Sequence, residues 1–490
     1  MTRPHVHATE AAVAGELREA FASIRAEFEV PETFPPAVLE EAEAVAASAD
    51  ADGAPAFSAP RADADRVDAT DIAFVTIDPP GSMDLDQAVH IARDGDGFVV
   101  RYAIADVPAF VRPGGAIDEE SRLRGTTLYL PDGRVPLHPP VLSEGAASLL
   151  PDVTRPAFLW TMRLDSHGEL RESEVVRAWV RSRARYTYEE VQAAHDAGNP
   201  IEAVADLAEV GQLRIESGLA RGAASLPMPE QIVTEKDGSF VVEFRPGLPA
   251  EEWNAQISLL TGMAAAQMML DAGIGILRTM PPAEESAVAT LRHQAHALGA
   301  DWEHDVSYGR FLASLDRTDP RHLAIVYEAT SLFRGAGYTV VDGETPEVST
   351  HAAVAAPYAH VTAPLRRLVD RFGLAVCEAL HTGAEVPEWV RAALPTLPKL
   401  MADADRRASA VDRAATDAVE AAELASYVGE ELEGIVVDIR KDHALVQFTD
   451  PAVVVKVPFT GREPAPGSSV VVGIVGVDVP RRRVQTELRS

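Results

Sequence analysis

Cysteine is almost absent: Cys377 is the single one in 490 residues. Its isolation excludes an internal disulfide and any cysteine-based metal cage, and no disulfide-linked partner is expected. Cys377 stands with Leu374 and Leu380 on an apolar helical stripe, which reads as core packing. The sequence also lacks any run of about 18 uncharged apolar residues, which excludes a membrane-spanning helix. The opening stretch, MTRPHVHATEAAVAGELREA, has neither the basic start nor the apolar middle of a secretory leader. The expected location is therefore the cytoplasm, with no membrane partner. Bases are the third shortage, with 44 Lys and Arg against 75 Asp and Glu, a formal net charge of -31. That average argues against a surface built to hold nucleic acid, because phosphate binding relies on Lys and Arg displacing counterions. A local basic channel stays open as an expectation, since much of the acid lies in ETFPPAVLEEAEAVAASADADGA and on alanine-rich helices.

What is present is ample apolar material, 47% of the residues, in a chain long enough for about two to four units. Leu17, Phe21 and Ile24 at helical spacing predict a first helix, VPETFPP breaks it, and AVLEEAEAVAASA predicts a second. A Pro/Ala/Asp-rich linker, DADGAPAFSAPRADADR, follows. From about residue 66 the texture changes to strands: AFVTID, GFVVRYAIADV and TLYLPDGRVPL, then a hairpin around Ser166–Gly168 and a long strand entering a helix at Thr187. Helices dominate next, among them PLRRLVDRFGLAVCEALHTG and the long KLMADADRRASAVDRAATDAVEAAELASYVG. From Glu430 five short strands return, which predicts a small β-barrel of the oligonucleotide-binding (OB) type. The expected fold class is α+β: a helical arm and acidic linker over 1–65, a mixed sheet with surrounding helices over 66–428, and a barrel over 429–490.

The most informative stretch is FVTIDPPGSMDLDQAVHI, residues 74–91, where Asp78, Asp84 and Asp86 crowd a Pro-Pro-Gly-Ser turn between two apolar runs. Clustered carboxylates repel, and a hard divalent cation is the natural compensation. Mg²⁺ takes oxygen ligands and uses one or two carboxylates together with substrate phosphate oxygens. A solvated acidic turn is the competing reading, and the apolar flanks weigh against it by placing the acids at the mouth of a buried sheet.

Phosphate chemistry also needs a fixed cation and a grip on the substrate. YAHVTAPLRRLVDRFG offers Arg366 and Arg367 behind Pro364, which suits the first turn of a helix; pairing with Asp370 is the plainer alternative. RGTTLYLPDGRVPLHPP offers Tyr129 before a Pro-Asp-Gly turn, either a ring to stack on a base or a core tyrosine. Arg177, Arg181, Arg183 and Arg185 alternate along one strand, so they share a face, as a phosphate track or as the wet side of a sheet.

Together these pieces carry a resemblance. TIDPPGSMDLDQA, YAIADVPAFV, RGTTLYLPDGRVPLHPPVLSEGAASLLPD, VRSRARYTYEEVQ and YAHVTAPLRRLVD, in this order, resemble the RNB family of 3′→5′ exoribonucleases, the ribonuclease II and ribonuclease R type. The resemblance runs from about Asp71 to Leu424, with an RNA-binding barrel behind it. It implies processive hydrolysis of single-stranded RNA to nucleoside 5′-monophosphates by a single chain, with Mg²⁺ as cofactor and Mn²⁺ as the alternative ion. It makes Asp78, Asp84 and Asp86 metal-binding and catalytic, Arg366 the contact to the scissile phosphate and Tyr129 the ring on the 3′-terminal base. Arg367, Arg183 and Arg185 are expected on the substrate from the basic pattern of their own segments. Three departures stand out. The family's second central acid is Gln87, whose carbonyl can still ligate but brings no charge. A family glutamate of the long helix falls at Asp412 in ASAVDRAAT, one methylene shorter. The 65 residues ahead of the body read as helices and linker, too short for the two cold-shock-type barrels the family commonly carries. The first two departures keep a rival in view, an RNA-binding or regulatory protein on this fold with weakened catalysis. A third reading, a phosphoesterase on small nucleotides, leaves the terminal barrel idle.

Overall fold

The computed structural model describes residues 10–52, 66–226, 230–236, 239–245, 247–316, 319–461 and 463–489, so most of the linker expected over 50–66 lies outside the described residues. Two helices come first, α1 (Glu10–Glu27) and α2 (Pro36–Asp52). The mixed sheet is built from β1 (Val67–Asp68), β2 (Phe74–Ile77), β3 (Gln87–Asp94) and β4 (Gly97–Ala105). A helix α3 (Ala116–Arg124) and a small hairpin, β5 (Leu128–Leu130) with β6 (Gly133–Val135), precede its last two strands, β7 (Thr154–Leu164) and β8 (Leu170–Tyr186).

Strand order is β1-β8-β2-β3-β4-β7, and β7 also pairs with β8, so five strands close on themselves. The 17 residues of β8 make this possible. Its first part runs antiparallel to β7, from Leu170 opposite Leu164 to Arg181 opposite Thr154, and its last part runs parallel to β2. The register slips there, because Phe74 and Val75 face Ser182 and Ala184 and leave Arg183 as a bulge. β8 then enters α4 (Tyr188–Asp196) through a capping box, with Thr187 accepting from the Glu190 N–H while Glu190 accepts from the Thr187 N–H.

Beyond it lie α5 (Leu207–Arg221), the hairpin β9 (Glu230–Lys236) and β10 (Ser239–Arg245), α6 (Pro249–Ala272), β11 (Ile274–Thr279), α7 (Glu285–Ala297), α8 (Tyr308–Ala313), α9 (Pro320–Ala329) and β12 (Gly337–Asp342). Helices α10 (Leu368–His381), α11 (Glu388–Ala393) and α12 (Leu397–Leu424) complete the body. Ile257, Leu260 and Met269 of α6, with Phe372 and Cys377 of α10, bury one side of the sheet against Val100, Tyr102 and Trp160. Val38, Ala42 and Val45 of α2 cover another core with Phe110 and Leu142. Among the described residues no helix is long and apolar enough to cross a membrane.

The tail forms the barrel: β13 (Glu431–Ile439), β14 (His443–Gln447), β15 (Val454–Pro458), β16 (Ser469–Asp478) and β17 (Arg483–Leu488), all antiparallel in the order β15-β14-β13-β16-β17. The sheet coils until its end strands meet, where the Thr486 hydroxyl donates to the Lys456 carbonyl at 2.7 Å.

Two expectations are corrected. The helix expected from Pro364 begins at Leu368, and Pro364 to Arg366 form a turn ahead of it. The arginines of β8 do not form one open stripe, because each guanidinium has its own partner. Arg177 is held by buried Asp106 at 2.9 Å, Arg181 by Asp152 at 3.2 Å, Arg183 by the Thr70 carbonyl and Arg185 by the Ser82 carbonyl.

Candidate active site

The acids stand where strands end. β2 delivers Asp78, whose N–H donates to the Tyr186 carbonyl at 3.0 Å. The chain then turns over Gly81, at φ +81° a conformation that L side chains rarely adopt. Leu85, fully buried, pins the return: its N–H donates to the Ser148 hydroxyl at 3.0 Å, its carbonyl accepts from the Leu149 N–H, and Ser148 itself donates to the Met83 carbonyl at 2.6 Å. With Leu85 inward, its neighbours Asp84 and Asp86 are sent to the opposite face of the extended chain.

Asp86 is 3% exposed. Its Oδ1 accepts from the Leu365 N–H at 2.7 Å and its Oδ2 lies 3.6 Å from Arg366 Nε. Burial raises its pKa well above the ordinary carboxylate value against the pull of Arg366 and Leu365, with Asp370 and Asp84 adding to the rise. Burial likewise pushes Asp78 up to about 6, opposed by Arg366 and Arg185 and reinforced by Asp84. Asp78 Oδ2 is buried with no hydrogen-bond partner among the described residues. Asp84 is paired with Arg134, whose other nitrogen reaches Glu144 at 2.9 Å.

The turn carrying Arg366 is tied down along its length by Asp86 and its neighbours. Gln87 Nε2 donates to the Thr362 carbonyl, Asp370 accepts from the Ala363 N–H at 2.8 Å, and Asp86 takes Leu365. The Thr127 N–H and Thr126 hydroxyl donate to the Arg366 carbonyl at 3.0 and 2.9 Å, which joins this turn to the strand leading to Tyr129. Arg366 keeps 48% of its side chain exposed and faces Asp86 and Asp78. Arg367 is paired instead, its Nε and Nη2 donating to Asp370 at 2.9 and 2.8 Å. Tyr129 is 51% exposed, no core tyrosine, and the charges its hydroxyl feels are those of Arg366, Asp84, Asp86 and Arg134.

Asp78, Asp84, Asp86, Gln87, Arg366, Tyr129 and, through Asp78, Arg185 are thus gathered in one place. Arg183 is drawn off to Thr70. Asp412 is exposed on α12, and among the described residues no hydrogen bond or ion pair joins it to the acids. The acid of that helix with partners here is Asp405, 3.0 Å from Arg278 and close enough, with Arg367 and Asp370, to act on the Tyr338 hydroxyl. Four residues escaped the sequence reading: Arg134, Glu144, Asp405 and Tyr188, whose hydroxyl feels Asp78. Arg134 had a signal, because the two-residue Pro131–Asp132 turn makes it the direct cross-strand partner of Tyr129. The expected local basic patch also exists. A groove of about 750 Å³ along α12 and the barrel is lined by Arg278, Arg406, Arg413, Lys456, Arg482 and Arg483, with Asp405 and Asp417 among them.

Behind the Arg366 turn His138 is fully buried, its ring bonded to the Pro364 carbonyl and its Nδ1 without a partner among the described residues. Burial, helped by Arg371, lowers its pKa to about 3. The folded chain therefore stays neutral at His138 while the unfolded chain takes up a proton below about 6.5, so stability falls with pH between about 6.5 and 3, by about 1.4 kcal/mol per unit. Urea unfolding at pH 7 and 4.5 is expected to show a difference about 2.5 kcal/mol smaller in His138→Gln than in the native chain. Equal differences would remove His138 from the account.

The family model of the RNB domain matches residues 66–380, and that of the RNase II-type exonuclease C-terminal S1 domain matches 430–488. The chain belongs to the RNB family. Among curated RNB proteins, Exosome complex exonuclease RRP44 homolog A of Arabidopsis thaliana is 30% identical over 315 residues, 61% of this chain and 33% of that protein. Ribonuclease R of Thermotoga maritima is 24% identical over 448 residues, 86% of this chain and 61% of that one. The chain spans about a third of the RRP44 relatives it matches. Among solved structures, Mycoplasma genitalium RNase R in complex with ribose methylated single-stranded RNA matches with TM-score 0.83 at 18% identity, over 97% of this chain and 78% of that one. Yeast Ssd1, a pseudonuclease, matches with TM-score 0.67 at 16% identity, over 81% and 50%. At these identities the structural matches speak for the RNB fold alone.

Proposed function

We propose that this RNB-family chain is a processive 3′→5′ exoribonuclease that hydrolyses single-stranded RNA to nucleoside 5′-monophosphates with Mg²⁺, or Mn²⁺ in its place. The observation that carries the reading is the joining of a half-exposed ring, Tyr129, to a half-exposed cation, Arg366, over three carboxylates at one sheet mouth. Among the described residues no three His, Cys, Asp or Glu side chains stand ready to hold an ion by themselves. The residues nevertheless suit Mg²⁺, which completes its shell with phosphate oxygens and water, and the partnerless buried Asp78 Oδ2 favours a cation. Asp78, Asp84 and Asp86 would hold it, with the Gln87 carbonyl as a neutral ligand, and the chemistry it supplies is polarisation of the phosphate and activation of water.

The chain's own side chains do the rest. Tyr129 stacks on the terminal base and fixes the last phosphodiester over the acids. Arg366, aligned by Asp86, meets the charge that grows on the phosphoryl oxygens. Arg134 holds Asp84 until substrate and ion arrive. The reading keeps single-chain action in the cytoplasm, which the buried thiol of Cys377 suits.

The second reading, an RNA-binding protein with weakened catalysis, is favoured by Gln87, which is uncharged and tied to Thr362. Gln87→Asp separates the two. The amide donor facing the Thr362 carbonyl becomes a carboxylate with nothing to donate, so the Arg366 turn loosens and turnover is expected to fall about tenfold. A rise in turnover would show that the position acts through charge alone. The main reading is tested with 5′-labelled single-stranded RNA. With Mg²⁺ the label is expected to pass directly to a product of a few nucleotides, and with EDTA it stays full length. RNA that is bound but uncut in Mg²⁺ would favour the second reading.

A further inference from the structure

The hairpin that presents Tyr129 is too small to hold itself. Its strands are three residues each, and an isolated two-stranded hairpin is marginal in water. Its outer face carries Tyr129 and Arg134, and its inner face, Leu128, Leu130 and Val135, is buried in a core whose other walls are Leu17, Phe21 and Ile24 of α1 and Val411 and Ala415 of α12. At the hairpin tip Asp132 accepts a two-pronged contact from Arg25 in the last turn of α1, Nη1 to Oδ2 at 3.0 Å and Nη2 to Oδ1 at 2.6 Å. This pair is largely withdrawn from solvent, with side chains 12% and 23% exposed. Two residues further on, Glu27 pairs with Arg482 of the β16–β17 turn at 2.7 Å, so the same helix end touches the barrel.

We propose that α1 is a positioning element of the substrate clamp, its Arg25 fork on Asp132 setting the angle at which the Tyr129 ring meets the 3′-terminal base. The proposal rests on the reading of Tyr129 as the stacking ring. A guanidinium fork constrains direction as well as distance. With the inner face fixed by the core and the root fixed to the Arg366 carbonyl, the Asp132 contact fixes the tip, and Tyr129 lies three residues from it. Without the fork the hairpin still packs, and its ring samples a wider range of angles.

The test uses the full chain with Asp86→Asn, so that RNA stays intact, and two short single-stranded RNAs, one ending in 2-aminopurine and one ending in an abasic residue. Fluorescence quenching reads stacking, and competition reads affinity for the abasic strand. Arg25→Ala and Asp132→Ala are each expected to weaken binding of the base-bearing strand about fivefold, the double variant no further, and the abasic strand to bind all forms alike. Tyr129→Ala is the control, expected to lose the quenching. Equal weakening of both strands would show a merely structural role, and unchanged quenching in the Arg25 and Asp132 variants beside a loss in Tyr129→Ala would overturn the proposal alone. Quenching that survives Tyr129→Ala would overturn the stacking reading beneath it. Thermal melting of each variant, with Arg25→Lys as the milder change, confirms that the compared chains are folded.

Discussion

Asp86→Asn leaves RNA bound and stops its shortening, with turnover down by about a thousandfold or more. Both oxygens of Asp86 are used, Oδ1 by the Leu365 N–H and Oδ2 by the approach of Arg366. An amide keeps the size and loses the charge that aligns Arg366 and would face the ion. One of its ends is also a donor, and turned toward Leu365 it meets another donor. The carboxylate is unfavourable by itself in this burial, since its pKa is raised well above the ordinary value. A site that keeps a costly charge is expected to lose function before stability, so the variant should melt at or above the native temperature. Turnover within tenfold of native would remove Asp86 from the chemistry.

The second large effect separates two neighbouring arginines. Arg366→Ala is expected to lower kcat about a hundredfold or more at a smaller cost in stability than Arg367→Ala, because its half-exposed guanidinium serves the developing phosphoryl charge and only approaches Asp86, at 3.6 Å. Arg367→Ala is expected to cost about 3 kcal/mol of stability, because it strands the buried Asp370, which also accepts the Ala363 N–H beneath the Arg366 turn. Steady-state kinetics and urea unfolding on both variants decide the assignment. The reverse pattern, a stable but inactive Arg367→Ala beside a destabilised Arg366→Ala, would contradict it.

Sequence alone could not separate these two, because adjacent arginines before a helix read alike until the helix start is known. The helix begins at Leu368, four residues later than the position of Pro364 suggested. Arg367 therefore stands just before the helix, paired with Asp370, and Arg366 is left on the turn. Asp405 and Asp412 pose a similar problem. They are seven residues apart, which on a helix is nearly the same face but about 10 Å along the axis. Spacing cannot choose the level; the contact with Arg278 does. The arginines of β8 alternate in sequence, and only the parallel pairing with β2 reveals the bulge at Arg183. Local signals fared better. The apolar runs around the acids, the Thr187 helix start, the hairpin turn after Tyr129 and the five terminal strands each depend on neighbours in sequence, and each stands where it was read.

The released product reports hydrolysis most directly. Uniformly labelled single-stranded RNA incubated with the native chain and Mg²⁺, then resolved by thin-layer chromatography, is expected to yield nucleoside 5′-monophosphates as the main labelled species from the earliest times. Label that stays in full-length RNA held in a complex would contradict the account and leave an RNA-binding protein on the RNB fold.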